Sequence, residues 1–386
     1  MPSARKIIRF GVIGLGLMGR EFASAAARWC HLLDVDFLPK ITAICDTNPQ
    51  LFPWFEDNFD NITLKSADYH DLLNNTEIDA IYCAVPHNLH QQFYTDIICS
   101  GKHLLGEKPF GIDLPANQAI LEVIRQHPDV VVACSSEFPF FPGAQRIIRF
   151  VEEGRFGRII EVSAGLLHSS DLDPMKKINW KRMIAINGEY GCMGDLGMHA
   201  LHLPLRFGWL PERVYANLSN IVAQRYNAEG KLVPCETWDN ATLSCDVSAS
   251  GQAFPMHLQT YRIAPGEANT WYIRILGTDF SAEYSTKYPK TLRFMPYSSG
   301  AEQGWHSVDL GYESVYPTIT GPIFEFGFTD AILQMWAAFC DQLANGKETQ
   351  RFRCATPEET AQHHHVLTAA LHSQAEKRAV ALSEIM

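Results

Sequence analysis

Ile7-Ile8-Arg9-Phe10-Gly11-Val12-Ile13-Gly14-Leu15-Gly16-Leu17-Met18-Gly19 decides how the first third of the chain is read. Ile7 to Ile13 is apolar and β-branched enough for a buried strand. Glycines 14, 16 and 19 then fit G-x-G-x-x-G, and Leu17 to Trp29 continues with Ala-rich helical spacing. This strand–turn–helix setting is what gives the motif meaning. The first glycine permits a tight turn, the second lets backbone approach a pyrophosphate, and the third allows close helix–sheet packing. The helix N-terminus offers its N–H groups to the anion. A tight turn without a ligand is the plain alternative, and the βαβ surroundings weigh against it. Gly14, Gly16, Leu17 and Met18 are therefore the first expected cofactor contacts.

Outward from this turn, short apolar runs alternate with amphipathic stretches. Ile41 to Cys45 reads as a second strand, reached through an irregular stretch, Leu32 to Lys40. Asp68 to Leu73 suits a short helix, Ile78 to Val85 a strand, Leu89 to Cys99 a helix capped at Gly101, and His103 to Leu105 a brief strand. Leu114 to Arg125 is helical and Val130 to Cys134 a last strand. The pattern predicts a doubly wound parallel sheet. A dinucleotide's adenosine ribose is held by a carboxylate about 20 residues past the turn. That count falls on Asp34 or Asp36, in the irregular stretch. The geometry instead asks for the end of the second strand, which is Asp46. No Lys or Arg lies between Thr47 and Leu64 to hold a 2′-phosphate, so NAD(H) is expected over NADP(H).

After about residue 135 the rhythm changes. A helix (Gly143 to Glu153) and a strand (Arg158 to Leu166) precede an apolar segment from Asp195 to Phe207. Strand-like runs follow, among them Ala241 to Val247, Ala253 to Tyr261 and Trp271 to Leu276, and helices close the chain at Phe324 to Leu343 and Glu358 to Ala375. The fold class expected is an N-terminal Rossmann α/β unit, residues 1–134, and a C-terminal α+β unit, 135–386, with a large, open, mostly antiparallel sheet. The chain's 386 residues suit two or three domains. Its 32 Lys and Arg against 43 Asp and Glu leave a net charge of −11, with no basic block to meet a phosphate backbone, so nucleic acid is an unfavoured partner. Ten cysteines show no C-x-x-C or zinc spacing and read as reduced thiols. Arg5, Lys6 and Arg9 interrupt any leader, and no apolar run reaches a membrane span, so a cytoplasmic protein is expected.

Lys108 stands at the carboxyl end of a strand, where open α/β sheets bind ligands. Most lysines are solvated surface groups, but Pro109 restricts Lys108 to extended geometry. Val85-Pro86-His87-Asn88-Leu89-His90 and Gly101-Lys102-His103 through Glu107-Lys108-Pro109, with the glycine-rich start, resemble the glucose–fructose oxidoreductase and inositol dehydrogenase family (Gfo/Idh/MocA). The resemblance is dense over the first 135 residues. It implies a Rossmann unit joined to an open-sheet unit, a nicotinamide cofactor touching Val85, Pro86, His90, Glu107 and Lys108, and sugar or cyclitol chemistry.

The same resemblance carries a second signature, an Asp and a His four apart, here Gly191-Cys-Met-Gly194-Asp195-Leu-Gly-Met-His199. That spacing puts both side chains on one helical face, with Gly194 expected at the helix entry. A capping Asp and a buried His are the bland alternative. Oxidising a secondary alcohol removes a hydride and a proton; the cofactor takes the first and the protein must accept the second. Lys108 can hydrogen-bond the reacting oxygen, His199 titrates nearest neutrality and can take or relay the proton, and Asp195 would position the substrate and fix the histidine's orientation or charge. Which of Lys108 and His199 is the proximal base stays open.

The chain also departs from the family. His202 stands where an acidic residue is common, and Ser136 to Pro142 lacks an expected arginine, so the substrate does not carry over. His202 reads evenly as a substrate contact or a core histidine. Trp180 and Tyr190 are further sugar-contact candidates. His363-His364-His365 cannot converge on one ion from a helix, since successive side chains point about 100° apart; a solvated or partly packed face is expected, and no metal. The resulting expectation is an NAD(H)-dependent dehydrogenase of a sugar, sugar derivative or cyclitol, assembled as a homodimer or homotetramer. Its site is expected in the cleft between the parallel sheet's carboxyl edge and the second unit. Its rivals are a glycosidase or eliminase using transient oxidation, and a non-catalytic dinucleotide-dependent regulator.

Overall fold

The computed structural model describes residues 5–311, 314–321, 326–346 and 352–385. Contacts divide the chain into two units. One comprises Met1–Gly111, Pro115–Phe140 and Ser314–Pro357; the other comprises Ile112–Leu114, Phe141–Glu313 and Glu358–Met386.

The first unit is built on strands β1 (Lys6–Ile13), β2 (Phe37–Cys45), β3 (Leu64–Ser66), β4 (Ala80–Cys83), β5 (His103–Gly106) and β6 (Val132–Cys134). They form one sheet in the order β3-β2-β1-β4-β5-β6, paired in parallel throughout. This is the Rossmann order, in which strand exits near the centre of the sheet become the binding edge. Helices Leu17–Ala27, His90–Cys99 and Leu114–Gln126 connect the strands.

Two local readings change. The end of the stretch taken as irregular, from Phe37 through Pro39 to Lys40, belongs to β2. Proline is tolerated there because β3 covers only Ala43 to Cys45, leaving one side of β2 unpaired at Pro39. The chain between β2 and β3 also forms a short helix, Phe52–Asn58, that periodicity did not suggest.

The contact grouping also gives the first unit a late segment, Ser314–Pro357. Helix Phe328–Asn345 packs Trp336, fully buried, against Phe10, Phe22 and Trp29, with ring centroids 5.1, 3.7 and 5.6 Å away. Lys6 Nζ donates to the carbonyls of Leu343 and Ala344 at that helix's C-terminus, where a cation suits the dipole. The expected start of this helix at Phe324 lies outside the described residues.

The second unit continues with β7 (Ile159–His168), β8 (Pro211–Ser219), a small hairpin of β9 (Gln224–Tyr226) and β10 (Leu232–Pro234), then β11 (Asn240–Ala249), β12 (Gln252–Tyr261), β13 (Asn269–Gly277), β14 (Phe280–Ser285), β15 (Thr291–Pro296), β16 (His306–Asp309) and β17 (Val380–Ala381). The large sheet runs β16-β15-β14-β13-β7-β12-β11-β8-β17, and β7 with β12 is its one parallel pair among the described residues. Alternation along β12 buries Phe254, Met256 and Leu258 on one face and leaves His257, Gln259 and Tyr261 partly exposed on the other. Helix Cys192–Arg206 lies on the buried face, over β7 and β12. Among the described residues no helix is long and apolar enough to cross a membrane.

Candidate active site

β1 delivers the chain into the glycine turn, and the three glycines have different reasons to be there. Gly14 has φ +89°, and a Cβ on it would stand 2.5 Å from the Ala84 carbonyl oxygen. A Cβ on Gly19 would stand 2.2 Å from the Gly14 carbonyl. Both are required by packing alone. Gly16 differs: nothing lies within 4 Å of its Cβ position, and Leu17 beyond it is 67% exposed. Gly16 is also the N-cap of helix Leu17–Ala27, and it has no side chain to cap that helix. The cradle is thus open where backbone would meet a pyrophosphate, so the residues fit a dinucleotide.

Asp46 follows β2 directly, and its carboxylate reaches back to the turn. Oδ2 accepts from Leu15 N–H and Oδ1 from Asn48 N–H, both at 2.8 Å. A carboxylate offers about four lone-pair sites, so capacity remains for ribose hydroxyls. The surroundings are acidic. Burial first, then Asp46, Asp68 and Asp71, push the Cys45 thiol up to about 12. Lys65 on β3 is bonded to Glu56 at 2.5 Å.

At the exits of β4 and β5, Val85 and Pro86 are half-buried and border the edge of the sheet. His90, expected as a cofactor contact, is fully buried. One ring nitrogen meets the Val85 carbonyl at 3.0 Å and the other receives Gly111 N–H at 3.4 Å, so the imidazole ties two loops together. Tyr94 stacks on it and donates to the Glu107 carbonyl at 2.7 Å. Glu107 is also buried, its Oε1 accepting from the Tyr82 hydroxyl at 2.7 Å. Lys108 is half-buried immediately after it, joined to Pro109 by a cis peptide bond.

In the second unit the Asp–His helix begins at Cys192, not at Gly194. The entry is Gly191, with φ +57°, where a Cβ would lie 2.7 Å from Trp238 N. Asp195 and His199 follow one turn apart and are 2% and 5% exposed. Trp271 Nε1 donates to the His199 carbonyl at 2.8 Å. Two cations not foreseen from the sequence converge on Asp195: Lys181 Nζ at 3.0 Å and the Arg262 guanidinium. Arg262 is 5% exposed and also faces Asp171 at 3.9 Å, while Lys176 holds Asp171 at 2.8 Å. Burial raises the Asp171 carboxyl, but Lys176 and Arg262 outweigh it and leave it below the ordinary range.

Trp180 is half-buried, with Lys181 Nζ 5.5 Å from its ring centroid, and keeps an apolar surface near Asp195. Tyr190, the other sugar-contact candidate, is 3% exposed and hydrogen-bonded to Thr368 at 2.7 Å. His202 is fully buried beside Arg206, whose Nη2 meets its Nε2 at 3.1 Å. Burial holds its pKa down to about 3. His363 and His364 are buried and His365 is half-buried, and a Cβ on Gly197 would touch His363 Nε2 at 2.9 Å. Among the described residues no three potential ligands form a metal cluster.

Residues 8–135 match the Gfo/Idh/MocA oxidoreductase family, described by its NAD-binding Rossmann fold. Among curated relatives, levoglucosan dehydrogenase of Pseudarthrobacter phenanthrenivorans is 23% identical over 334 residues, covering 83% of this chain and 82% of its own length. A glycosyl hydrolase family 109 protein of Shewanella pealeana is 24% identical over 172 residues, 42% of this chain and 35% of its own. Among solved structures, levoglucosan dehydrogenase in complex with NADH and L-sorbose superposes with a TM-score of 0.86 at 21% identity, over 98% of this chain and 99% of that one. At that identity the superposition establishes a shared fold.

Proposed function

We propose that this chain is an NAD(H)-dependent dehydrogenase that oxidises a secondary hydroxyl of a sugar, sugar derivative or cyclitol, or reduces the corresponding ketone. The observation that carries the reading is the open Gly16 cradle tied through Leu15 to Asp46, in a family of NAD-binding oxidoreductases. Gly14, Gly16, Leu17, Met18 and Asp46 would hold the dinucleotide, with Val85, Pro86 and Lys108 toward its reactive end. When bound, the nicotinamide supplies a hydride acceptor. Removing the hydroxyl proton falls to side chains. Lys108 hydrogen-bonds the reacting oxygen, His199 relays the proton, and Asp195 orients the substrate while two cations keep its own position. The three carboxylates around the ends of β2 and β3 would repel a 2′-phosphate, which supports NAD(H) over NADP(H). The relative named levoglucosan dehydrogenase supports a sugar-like substrate.

A panel of sugars, anhydrosugars and cyclitols, followed by absorbance of the reduced nicotinamide with NAD⁺ and NADP⁺, tests this. NADH formation with at least one substrate, and a higher kcat/KM with NAD⁺, are expected. No absorbance change with any polyol would remove the dehydrogenase reading. The likeness to a family 109 hydrolase favours one second reading, transient oxidation around glycoside cleavage. That chemistry would release a sugar from an aryl glycoside without net NADH. We further propose a cytoplasmic homodimer or homotetramer, which light scattering checks.

A further inference from the structure

Asp195 belongs to a knot of buried charge that lies wholly within the second unit. Arg182 pairs with Asp239 at 2.6 Å, both side chains fully buried. Arg262 bonds Asp195 and faces Asp171 at 3.9 Å. Arg225, also buried, donates to the carbonyls of Asp171, Asp173 and Lys176 at 2.5, 2.7 and 3.1 Å. Three buried arginines thus stand against three buried carboxylates. Two lysines are added to this balanced set: Lys176 holds Asp171 at 2.8 Å and Lys181 holds Asp195 at 3.0 Å. Five cations against three carboxylates leave two positive charges in excess, in a chain whose net charge is −11.

Acceptors run short as well. Among the described residues, the buried Nε atoms of Arg225 and Arg262 meet no hydrogen-bond partner. Burying cations without matching acceptors is costly, and an anion arriving from solvent offsets both deficits. Two neighbouring carboxylates do not supply it. Asp173 and Glu236 are exposed and accept from Met175 N–H at 2.8 Å and Ile184 N–H at 2.9 Å. Water and salt screen such exposed charges, as they screen the exposed Lys177.

The excess lies where solvent reaches it, since the side chains of Lys176 and Lys181 are 38% and 31% exposed. Lys181 Nζ stands 5.5 Å from the ring centroid of the half-buried Trp180, whose flat apolar surface suits the C–H face of a sugar. The turn that presents both is held in place beforehand. Asn179 Oδ1 accepts from Lys181 N–H at 3.0 Å, the Thr237 hydroxyl donates to the Lys181 carbonyl at 2.8 Å, and Arg182 anchors the next residue on Asp239. Little ordering is left for a ligand to impose.

We propose that the substrate is a sugar carrying an anionic group, a carboxylate or a phosphate, and that Lys181 receives this group beside the Trp180 ring. Lys176 adds to the local positive potential. An ammonium has three N–H donors, and Arg262 stays on Asp195 when Lys181 shares itself with the anion. Asp195 therefore remains compensated and can accept from a substrate hydroxyl. The idea rests on the dehydrogenase reading, with Asp195 as a substrate contact, and narrows it to acidic sugars.

Calorimetry on the protein saturated with NADH, using ligand pairs that differ in charge, tests this. The pairs are D-glucuronate and D-glucose 6-phosphate against D-glucose, D-gluconate against sorbitol, and myo-inositol 1-phosphate against myo-inositol. In at least one pair the anionic member should bind about tenfold tighter or more, and which pair does so separates carboxylate from phosphate. That advantage should shrink between about 20 and 300 mM salt. It should be lost in K181M and kept in K181R. Neutral members that match or exceed their anionic partners, or a panel in which no anionic sugar binds, overturn the proposal without any variant. So does K181M with the wild-type ratio. Acetate or inorganic phosphate binding as tightly as the sugar anions would show an adventitious ion only, and overturns it as well. Selective binding of anionic sugars, with none of them reducing NAD⁺, would keep the anion site and remove the dehydrogenase reading. NADH formation from neutral polyols, with no anionic advantage, would do the reverse.

Discussion

In the first unit the turn that would face a ligand is made by leaving atoms out: nothing approaches the Cβ position of Gly16 within 4 Å, and Asp46 is bound to the turn through Leu15 N–H. In the second unit Asp195, 2% exposed, is enclosed by Lys181 and Arg262, and Arg262 leans on Asp171 in turn. Backbone amides carry their polarity wherever the chain goes, so a site built from them tolerates side-chain changes unless a side chain enters the open space. Buried charges depend on one another, and deleting one strands its partner. Substitutions in the first region should therefore register in ligand affinity or turnover, and those in the second in stability as well.

The largest effect expected is on turnover. Lys108→Ala should lower kcat by roughly 10²–10⁴-fold, the usual range for loss of a positioned acid–base group. NAD⁺ affinity, measured by quenching of protein fluorescence, should be little changed, because the glycine turn and Asp46 are untouched. Unaltered turnover would take Lys108 out of the mechanism. Next comes Asp195→Ala, which leaves Arg262 buried without its closest carboxylate. Breaking a buried pair from one side costs about 3–5 kcal/mol, visible as a lower midpoint in urea or guanidinium unfolding. Asp195→Ala with wild-type stability would show that Lys181 and Arg262 re-pair, and the contrast between the two regions would fail.

What could be read beforehand follows the same contrast. The strand, turn and helix around Gly14 to Gly19 were legible because each residue's reason is local: β-branched residues, then glycines, then alanines. Asp46 was legible because it ends a strand, although the strand's start at Phe37 was hidden by Pro39, whose tolerance depends on how little of β2 is covered by β3. Lys181 and Arg262 carry no such signal. They meet Asp195 from a short helical turn and from the end of β12, and only tertiary packing assembles them. Tyr190 and His202 have side chains suited equally to a sugar or to a core, so sequence could not choose. Helix Phe328–Asn345 was visible as a helix. Its place in the first unit rests on the Trp336 contacts with Phe10, Phe22 and Trp29, residues of the far N-terminal segment.

Three substitutions in and beside the glycine turn sharpen the comparison at intermediate size. Asp46→Ala removes a charged acceptor, worth about 1.5–3 kcal/mol, so NAD⁺ affinity should fall roughly ten- to a hundredfold and discrimination against NADP⁺ should narrow. Gly16→Ala places a methyl where the protein has no neighbouring atom. Its thermal midpoint should stay close to wild type while NAD⁺ binding, measured by calorimetry, weakens. Gly14→Ala, which drives a Cβ into the Ala84 carbonyl at positive φ, should lose stability instead. Equal losses of stability at 14 and 16 would mean the space beside Gly16 serves packing and not a ligand.

The smallest effect expected separates the second region by pH. Burial holds His202 near 3 in the folded chain against an ordinary value of 6.5. Between those values the unfolded chain binds a proton that the folded chain refuses. Stability is therefore fully present above about 6.5 and declines as pH falls toward 3. One such proton contributes a slope of about 1.4 kcal/mol per pH unit. His202→Gln keeps an acceptor for Arg206 without a titrating ring, so its unfolding free energy should fall less steeply over that acid range by up to that amount. Parallel slopes for the two proteins would show that water reaches His202 and that this part of the charged interior is less closed than the burial of Asp195 and Arg262 implies.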